Sequence, residues 1–232
     1  VKADVPVARC SLYNNPNHYY NKLRFGAVGN YECVNDMSIV LEFLQKVVST
    51  FKAFRLPFAI GPMDGSIWNN FALQCNNDEP LFYPEKQQQK YYHQHFKSAG
   101  FQTIAEYVSH KDTHLAIDND ALDYARGNYE KLGVELRAID MDNLEIEMKR
   151  IGEFCIENQK ENFLYSPITA EQFYEKNIVI ESFLNPELML IVEDAERNIV
   201  ALSFAYDDPY HSLGKTAVIR MVVRKKDARY KG

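Results

Sequence analysis

The chain has 232 residues, 46% of them hydrophobic, which suffices for a sizeable core in one large or two small domains. Its formal charge of −6 argues against nucleic acid as the main partner, because a surface that tracks phosphates carries a basic excess; a local basic cluster can still bind a small polyphosphate. No apolar run approaches the roughly 20 residues that span a bilayer, and the first residues lack the basic-then-apolar layout of a signal peptide, so a cytoplasmic protein with at most peripheral lipid contact is expected.

Residues 5–13 read as a strand with nothing before it, as if the chain began inside a sheet. A polar loop rich in Asn and Tyr, 14–22, leads to a second strand at 25–34. Asn35-Asp36 then offers an N-cap, and Met37, Val40, Leu41, Leu44, Val47, Val48 and Phe51 recur at helical spacing opposite Glu42, Gln45, Lys46 and Ser49. Residues 56–60 form a short apolar strand that ends in the turn cluster Gly61-Pro62-Met63-Asp64-Gly65-Ser66. After a loop to about residue 84, the pattern predicts a helix over 87–98 closed by Ala99-Gly100, and a strand over 101–108.

A charged stretch, 111–133, contains a helix at 120–132, after which the order of elements starts again. Residues 134–139 predict a strand. Leu144, Met148, Ile151 and Cys155 mark a helix with acidic and basic residues on its outer face. Thr169, with Gln172 at the capping-box position, starts a helix over 170–178. Strands follow at 187–192, 199–205 and 217–223, the first two joined as an antiparallel hairpin by Asp194-Ala195-Glu196-Arg197-Asn198. The last runs into Lys225-Lys226-Asp227-Ala228-Arg229-Tyr230-Lys231-Gly232. A strand entering a basic turn with glycine can present backbone N–H groups to a pyrophosphate, and a helix whose N-terminal dipole completes the anion site is expected to follow it. The other reading of these residues is an exposed basic tail.

The order strand, helix, helix, three antiparallel strands and basic glycine turn resembles the first half of the GNAT N-acetyltransferase fold, and residues 1–110 resemble its second half. Gly61-Pro62-Met63-Asp64-Gly65-Ser66, Pro80, Tyr83-Pro84, Tyr91-Tyr92 and Ala99-Gly100-Phe101 are similar to the signature of tandem-GNAT proteins related to bacterial ceramide synthase. Residues 162–173 are similar to another element of that family, with Phe163 and Leu164 where it has Trp and Gly. The resemblance implies an α/β (α+β) fold, a mixed and largely antiparallel sheet flanked by helices, in two tandem and incomplete units. Residues 1–115 would be the C-terminal part of a degenerate unit, 116–133 a linker helix, and 134–232 the N-terminal part of a second unit ending at the pyrophosphate turn. In the first unit the strand passes through Asn35-Asp36 straight into its helix, and a carboxylate there repels a pyrophosphate.

The activity implied is N-acyl transfer to a small or lipid-like amine, from acetyl-CoA or a longer acyl-CoA and without a metal. Arg224, Arg229, Lys231 and Gly232 would receive the phosphates, and Met221, Val222 and Val223 would offer backbone groups to the pantetheine and the thioester oxygen. An amine must lose a proton to attack, so Asp207, Asp208 and His211, in the loop before that strand, are candidate general bases, with Glu171 and Tyr165 as alternatives. Asp-Asp-Pro is equally turn chemistry. Residues 61–70, with Trp68, are either a ligand-facing loop or a structural turn. Phe163, Tyr165, Phe173, Ile178 and Phe183 could line an acyl tunnel or be core. Cys10, Cys33, Cys75 and Cys155 lack CxxC spacing and suit reduced thiols, and the pairs His93/His95 and His110/His114 lack a third metal ligand nearby. A non-catalytic binding or scaffold module, or an inactive fragment, are the other classes left open.

Overall fold

A computed structural model describes residues 5–75, 81–211 and 216–230. The chain divides into two units: Val1–Ser109 with Asn162–Ser166, and His110–Glu161 with Pro167–Gly232. Both are mixtures of helices with largely antiparallel sheet, an α+β architecture.

In the first unit, β1 (Ala8–Tyr13) is followed by a two-stranded ribbon, β2 (Tyr19–Tyr20) and β3 (Leu23–Arg24). Asn21 and Lys22, at φ 49° and 64°, form the ribbon's turn, the left-handed pair that matches strand twist in two-residue hairpins. β4 (Gly26–Cys33) pairs antiparallel with β1. The helix α1 (Met37–Ala53) buries Val40, Leu44, Val47 and Phe51, the stripe its periodicity predicts. Its N-terminus is capped by Asp36, whose carboxylate accepts from the Ser38 N–H at 3.1 Å and the Ser38 hydroxyl at 2.7 Å. Phe51 lies so close to β4 that a Cβ on Gly26 would meet its ring at 2.2 Å; only glycine lets this helix seat there. β5 (Ala59–Ile60) joins β4 in parallel for two residue pairs before Gly61 and Pro62 turn the chain away. The helix α2 (Tyr92–Ser98) places Phe96 in one core cluster with Tyr31, Cys33, Val40 and Leu44.

Residues 162–166 belong to this unit. Leu164 packs against the cluster of Phe25, Ala27 and Met63, Phe163 meets Tyr20 edge-on at 5.7 Å, and the Trp68 indole N–H donates to the Ser166 carbonyl at 2.8 Å.

Two expectations are corrected here. The helix expected from residue 87 begins at Tyr92, because the polar run before it is spent on loop contacts: the Gln88 amide donates to the Ala72 carbonyl at 3.1 Å and its oxygen accepts from the Gln74 N–H. The strand expected over 101–108 does not form. Phe101 packs on Phe96, centroids 5.0 Å apart, but Ile104, Tyr107 and Val108 are exposed and the segment has no ladder partner among the described residues.

The second unit begins with α3 (Asn119–Leu132), capped by Asp118 and ended by Gly133 at φ 62°. This helix, expected as a linker, groups with the second unit. Then come β6 (Glu135–Ala138), α4 (Leu144–Asn158) and α5 (Ala170–Asn177), whose start has both hydrogen bonds of the Thr169/Gln172 capping box. β7 (Met189–Glu193), β8 (Ile199–Asp207) and β9 (Ala217–Arg224) follow, and the sheet order β6-β7-β8-β9 is antiparallel throughout. Leu144, Met148, Ile151 and Cys155 are buried on α4 as expected, and Phe173 of α5 packs against Gly152, where a Cβ would come within 3.0 Å of its ring.

The charged face of α4 is not all outward. Glu147 is buried and accepts from Arg137 of β6 at 2.6 Å and from Arg150 at 2.6 Å; both arginines also reach Glu193 of β7, at 2.7 and 2.9 Å.

Candidate functional site

The residues expected at the cofactor site occupy β9 and the turn behind it. β9 pairs with β8, with Phe204 opposite Met221 but Ala205 opposite Ile219, so that Arg220 is an extra residue, a β-bulge that bends the strand. Met221 faces α4, its sulfur 3.4 Å from the Cys155 thiol, and Val223 is buried. Ile219 and Val222 are exposed, at 67% and 72%. Beyond the strand the chain is tied down by the Lys225 N–H, which donates to the Val200 carbonyl at 2.8 Å, and by an ion pair of Lys226 with Glu161. A short 3-10 turn, Ala228–Tyr230, closes the described part. Lys231 and Gly232 lie outside the described residues, as does Pro80.

The turn holds an anion of its own. The Arg229 guanidinium grips the Asp227 carboxylate through two donors, at 2.8 and 3.0 Å, and the Arg229 backbone N–H donates to the same side chain at 2.9 Å. These contacts, the guanidinium first, hold the Asp227 pKa down to about 2. A half-buried carboxylate thus uses the two kinds of donor that a phosphate would use. Asp227 was missed as a site residue, although an Asp two positions before an Arg is a sequence signal for such a side-chain turn. Arg224 donates to the carbonyls of Tyr230, at 2.9 Å, and Lys225, at 3.4 Å.

The candidate bases are at the other end of the strand pair. Asp207 lies opposite Ala217, whereas Arg224 lies opposite Ala201, about 20 Å away at 3.3 Å per strand residue. The Asp207 carboxylate accepts from the Asn185 amide at 3.2 Å. Asp208 builds the turn: its N–H donates to the Thr216 carbonyl at 2.8 Å and its carboxylate accepts from the Tyr210 N–H at 3.1 Å. His211 is half-buried just beyond. Of the alternatives, Glu171 pairs with Lys149 at 2.6 Å, and Tyr165 packs on Trp68 in the first unit, centroids 6.0 Å apart. Among the proposed tunnel residues, Phe163 and Tyr165 are packing residues of the first unit, Phe173 is 1% exposed core in the second, and Ile178 and Phe183 are half-buried.

In the first unit, the N-terminus of α1 is closed by the Asp36 carboxylate. The turn at 61–66 is held by contacts within the first unit: the Asp64 carboxylate accepts from the Asn30 N–H at 2.6 Å, the His18 ring donates through Nε2 to the Gly65 carbonyl at 2.7 Å, and Gly65 sits at φ 88°. His95 is buried between the Tyr31 hydroxyl, which donates to Nδ1 at 2.9 Å, and the Asn35 side-chain oxygen at 3.2 Å. Among the described residues no three His, Cys, Asp or Glu side chains cluster as metal ligands, and no helix is long and apolar enough to cross a membrane. Comparison of the chain with protein-family models, with curated proteins and with solved structures found no match in any of the three.

Proposed function

We propose that the chain serves acyl-CoA-dependent N-acyl transfer to a small or lipid-like amine, on a GNAT-like fold in a cytoplasmic protein, with the donor's pyrophosphate received behind β9. The observation that carries this reading is the path of the second unit. One strand, two helices and three further strands follow in order, the four strands form a single antiparallel sheet, and β9 is bulged and runs into a basic turn. Arg229 and its backbone N–H would exchange the Asp227 carboxylate for a phosphate, and the exposed side of β9 would offer its backbone groups to the pantetheine. Deprotonation of the amine falls to a group close to that strand. Asp207, Asp208 and His211 precede that strand, and the two carboxylates already accept hydrogen bonds, from the Asn185 amide and the Tyr210 N–H. The second reading, a non-catalytic binding module, is favoured by the two anion positions already filled by the protein's own carboxylates, Asp36 and Asp227.

Calorimetry with CoA, acetyl-CoA and octanoyl-CoA tests the proposal. Each buried methylene adds up to about 0.8 kcal/mol, so octanoyl-CoA should bind well over tenfold tighter than acetyl-CoA if an apolar tunnel exists. Arg229→Ala should weaken CoA binding by roughly 1–3 kcal/mol, the range for a lost charge-assisted contact, while Asp227→Ala, which releases Arg229, should strengthen it. Equal affinities for the three would end the long-chain reading. Absence of binding would leave the module.

A further inference from the structure

We infer that the first unit carries a binding site of its own, a cleft beside β4 that takes a small zwitterion, an α-amino acid with an apolar side chain. The cleft lies wholly within that unit, so it does not rest on the reading of the second.

Its volume is about 310 Å³, at the lower end of small-molecule sites. Its walls are held by contacts within the first unit. The loop on one side is pinned by the Ala72 N–H to the Pro62 carbonyl at 3.1 Å and by the bridge of Met63 with Phe71. Asn30 on the other is pinned by the Asp64 carboxylate at 2.6 Å and by the Lys86 ammonium at 3.1 Å. Two lining residues, Asn30 at φ 47° and Ala72 at φ 68°, hold the left-handed backbone that side chains other than glycine rarely adopt. Such conformations persist only where the surroundings over-determine them, and they concentrate at ligand clamps.

The lining sets the chemistry. Tyr31 and Tyr92, edge to face at 5.0 Å and only 6% and 9% exposed, close its floor, and Phe71, 37% exposed, gives the open apolar wall. Around it stand two ion pairs, Arg9 with Glu32 at 2.8 Å and Lys86 with Asp64 at 2.6 Å. Two cations and two anions sum to zero, so a singly charged ligand gains nothing from the net field, whereas a molecule bearing both signs meets a partner for each. Arg9 and Glu32 are 73% and 58% exposed at their side chains, and so open a pair contributes little in water. Little is therefore lost when a ligand carboxylate on Arg9 and a ligand ammonium on Glu32 displace that pair, and the gain comes from the apolar side chain of the ligand, which covers Phe71.

Titration with L-phenylalanine, phenylacetate and phenethylamine separates the charges. The amino acid is expected to bind at least tenfold tighter than either half-molecule. Glu32→Gln should weaken L-phenylalanine and phenethylamine about tenfold while phenylacetate, met by an Arg9 released from its pair, binds at least as tightly, and Arg9→Gln should weaken phenylacetate and spare phenethylamine. Both positions are exposed, and an unchanged thermal midpoint verifies that each variant folds. No binding of L-phenylalanine, equal affinity for all three probes, or L-phenylalanine affinity unaffected by both substitutions would overturn the proposal.

Discussion

Glu193 has a side chain only 3% exposed, and three arginines donate to it: Arg137 at 2.7 Å, Arg150 at 2.9 Å and Arg197 at 3.3 Å. A carboxylate taken this far out of water stays ionised only because the guanidinium groups, Arg137 above all, hold its pKa down to about 2. Removing one partner from such a network leaves the others desolvated and unpaired, which is why breaking a buried pair costs more than the pair contributes. Glu193→Ala should therefore lower the unfolding free energy by about 3 kcal/mol, moderated because Arg137 and Arg150 keep Glu147 and are partly exposed. Denaturant titration measures this, and a loss below about 0.5 kcal/mol would show that the network is a surface feature. The sequence places charges at 137, 147, 150 and 193 but does not pair them, since their contacts join positions far apart in the chain. Asp227 was hidden differently: its partner is two residues away, yet the basic residues around it made the turn read as open to phosphate.

At the scale of elements, what was legible follows from how locally each element is determined. α1 combines a capping Asp36 with four buried positions at helical spacing, all within one stretch, and its observed range matches the periodicity. The three strands β7, β8 and β9 were likewise readable, because β-branched runs separated by turn residues need only one another as partners. Residues 101–108 have the same local character, but among the described residues no ladder lies beside them, and apolar alternation alone does not make a strand. The caps give a direct test of local control. Asp36→Ala removes the acceptor for two backbone N–H groups at the start of α1 and should cost about 1 kcal/mol, and Thr169→Ala should cost a similar amount at α5. Neither should alter CoA affinity by calorimetry; a tighter CoA complex in Asp36→Ala would move the anion site to the first unit.

The two units of the molecule store their ionisation differently, and acid should separate them. In the first, His18 and His95 are 1% and 0% exposed, and burial lowers the pKa of both below the ordinary 6.5. His18 is stacked on Phe25 at 4.8 Å, and its Nδ1 has no hydrogen-bond partner among the described residues, so a second ring proton would sit buried without an acceptor there. Because the folded histidines resist protonation, the stability tied to their neutral form is complete above about pH 6.5 and declines as pH falls below it. An unfolded chain takes up the protons that the folded one refuses, at up to about 1.4 kcal/mol per pH unit for each histidine. In the second unit the lowered groups include the carboxylates Glu147 and Glu193, ordinarily near 4.5. Stability there is complete above that value and is lost as pH falls toward about 2, where Glu193 protonates. Trp68 is the sole tryptophan of the chain and lies in the first unit, so its fluorescence reports that unit alone. Its urea midpoint should fall between pH 7 and pH 5, while hydrogen exchange at the amides of β7 and β8 should stay protected until below about pH 4.5. His18→Phe, which keeps the stacking on Phe25, should flatten the Trp68 response by about one proton. A Trp68 midpoint constant from pH 7 to pH 5 would show that these rings reach solvent or a partner when protonated, and loss of β7 and β8 protection in the same range would show that the units unfold together.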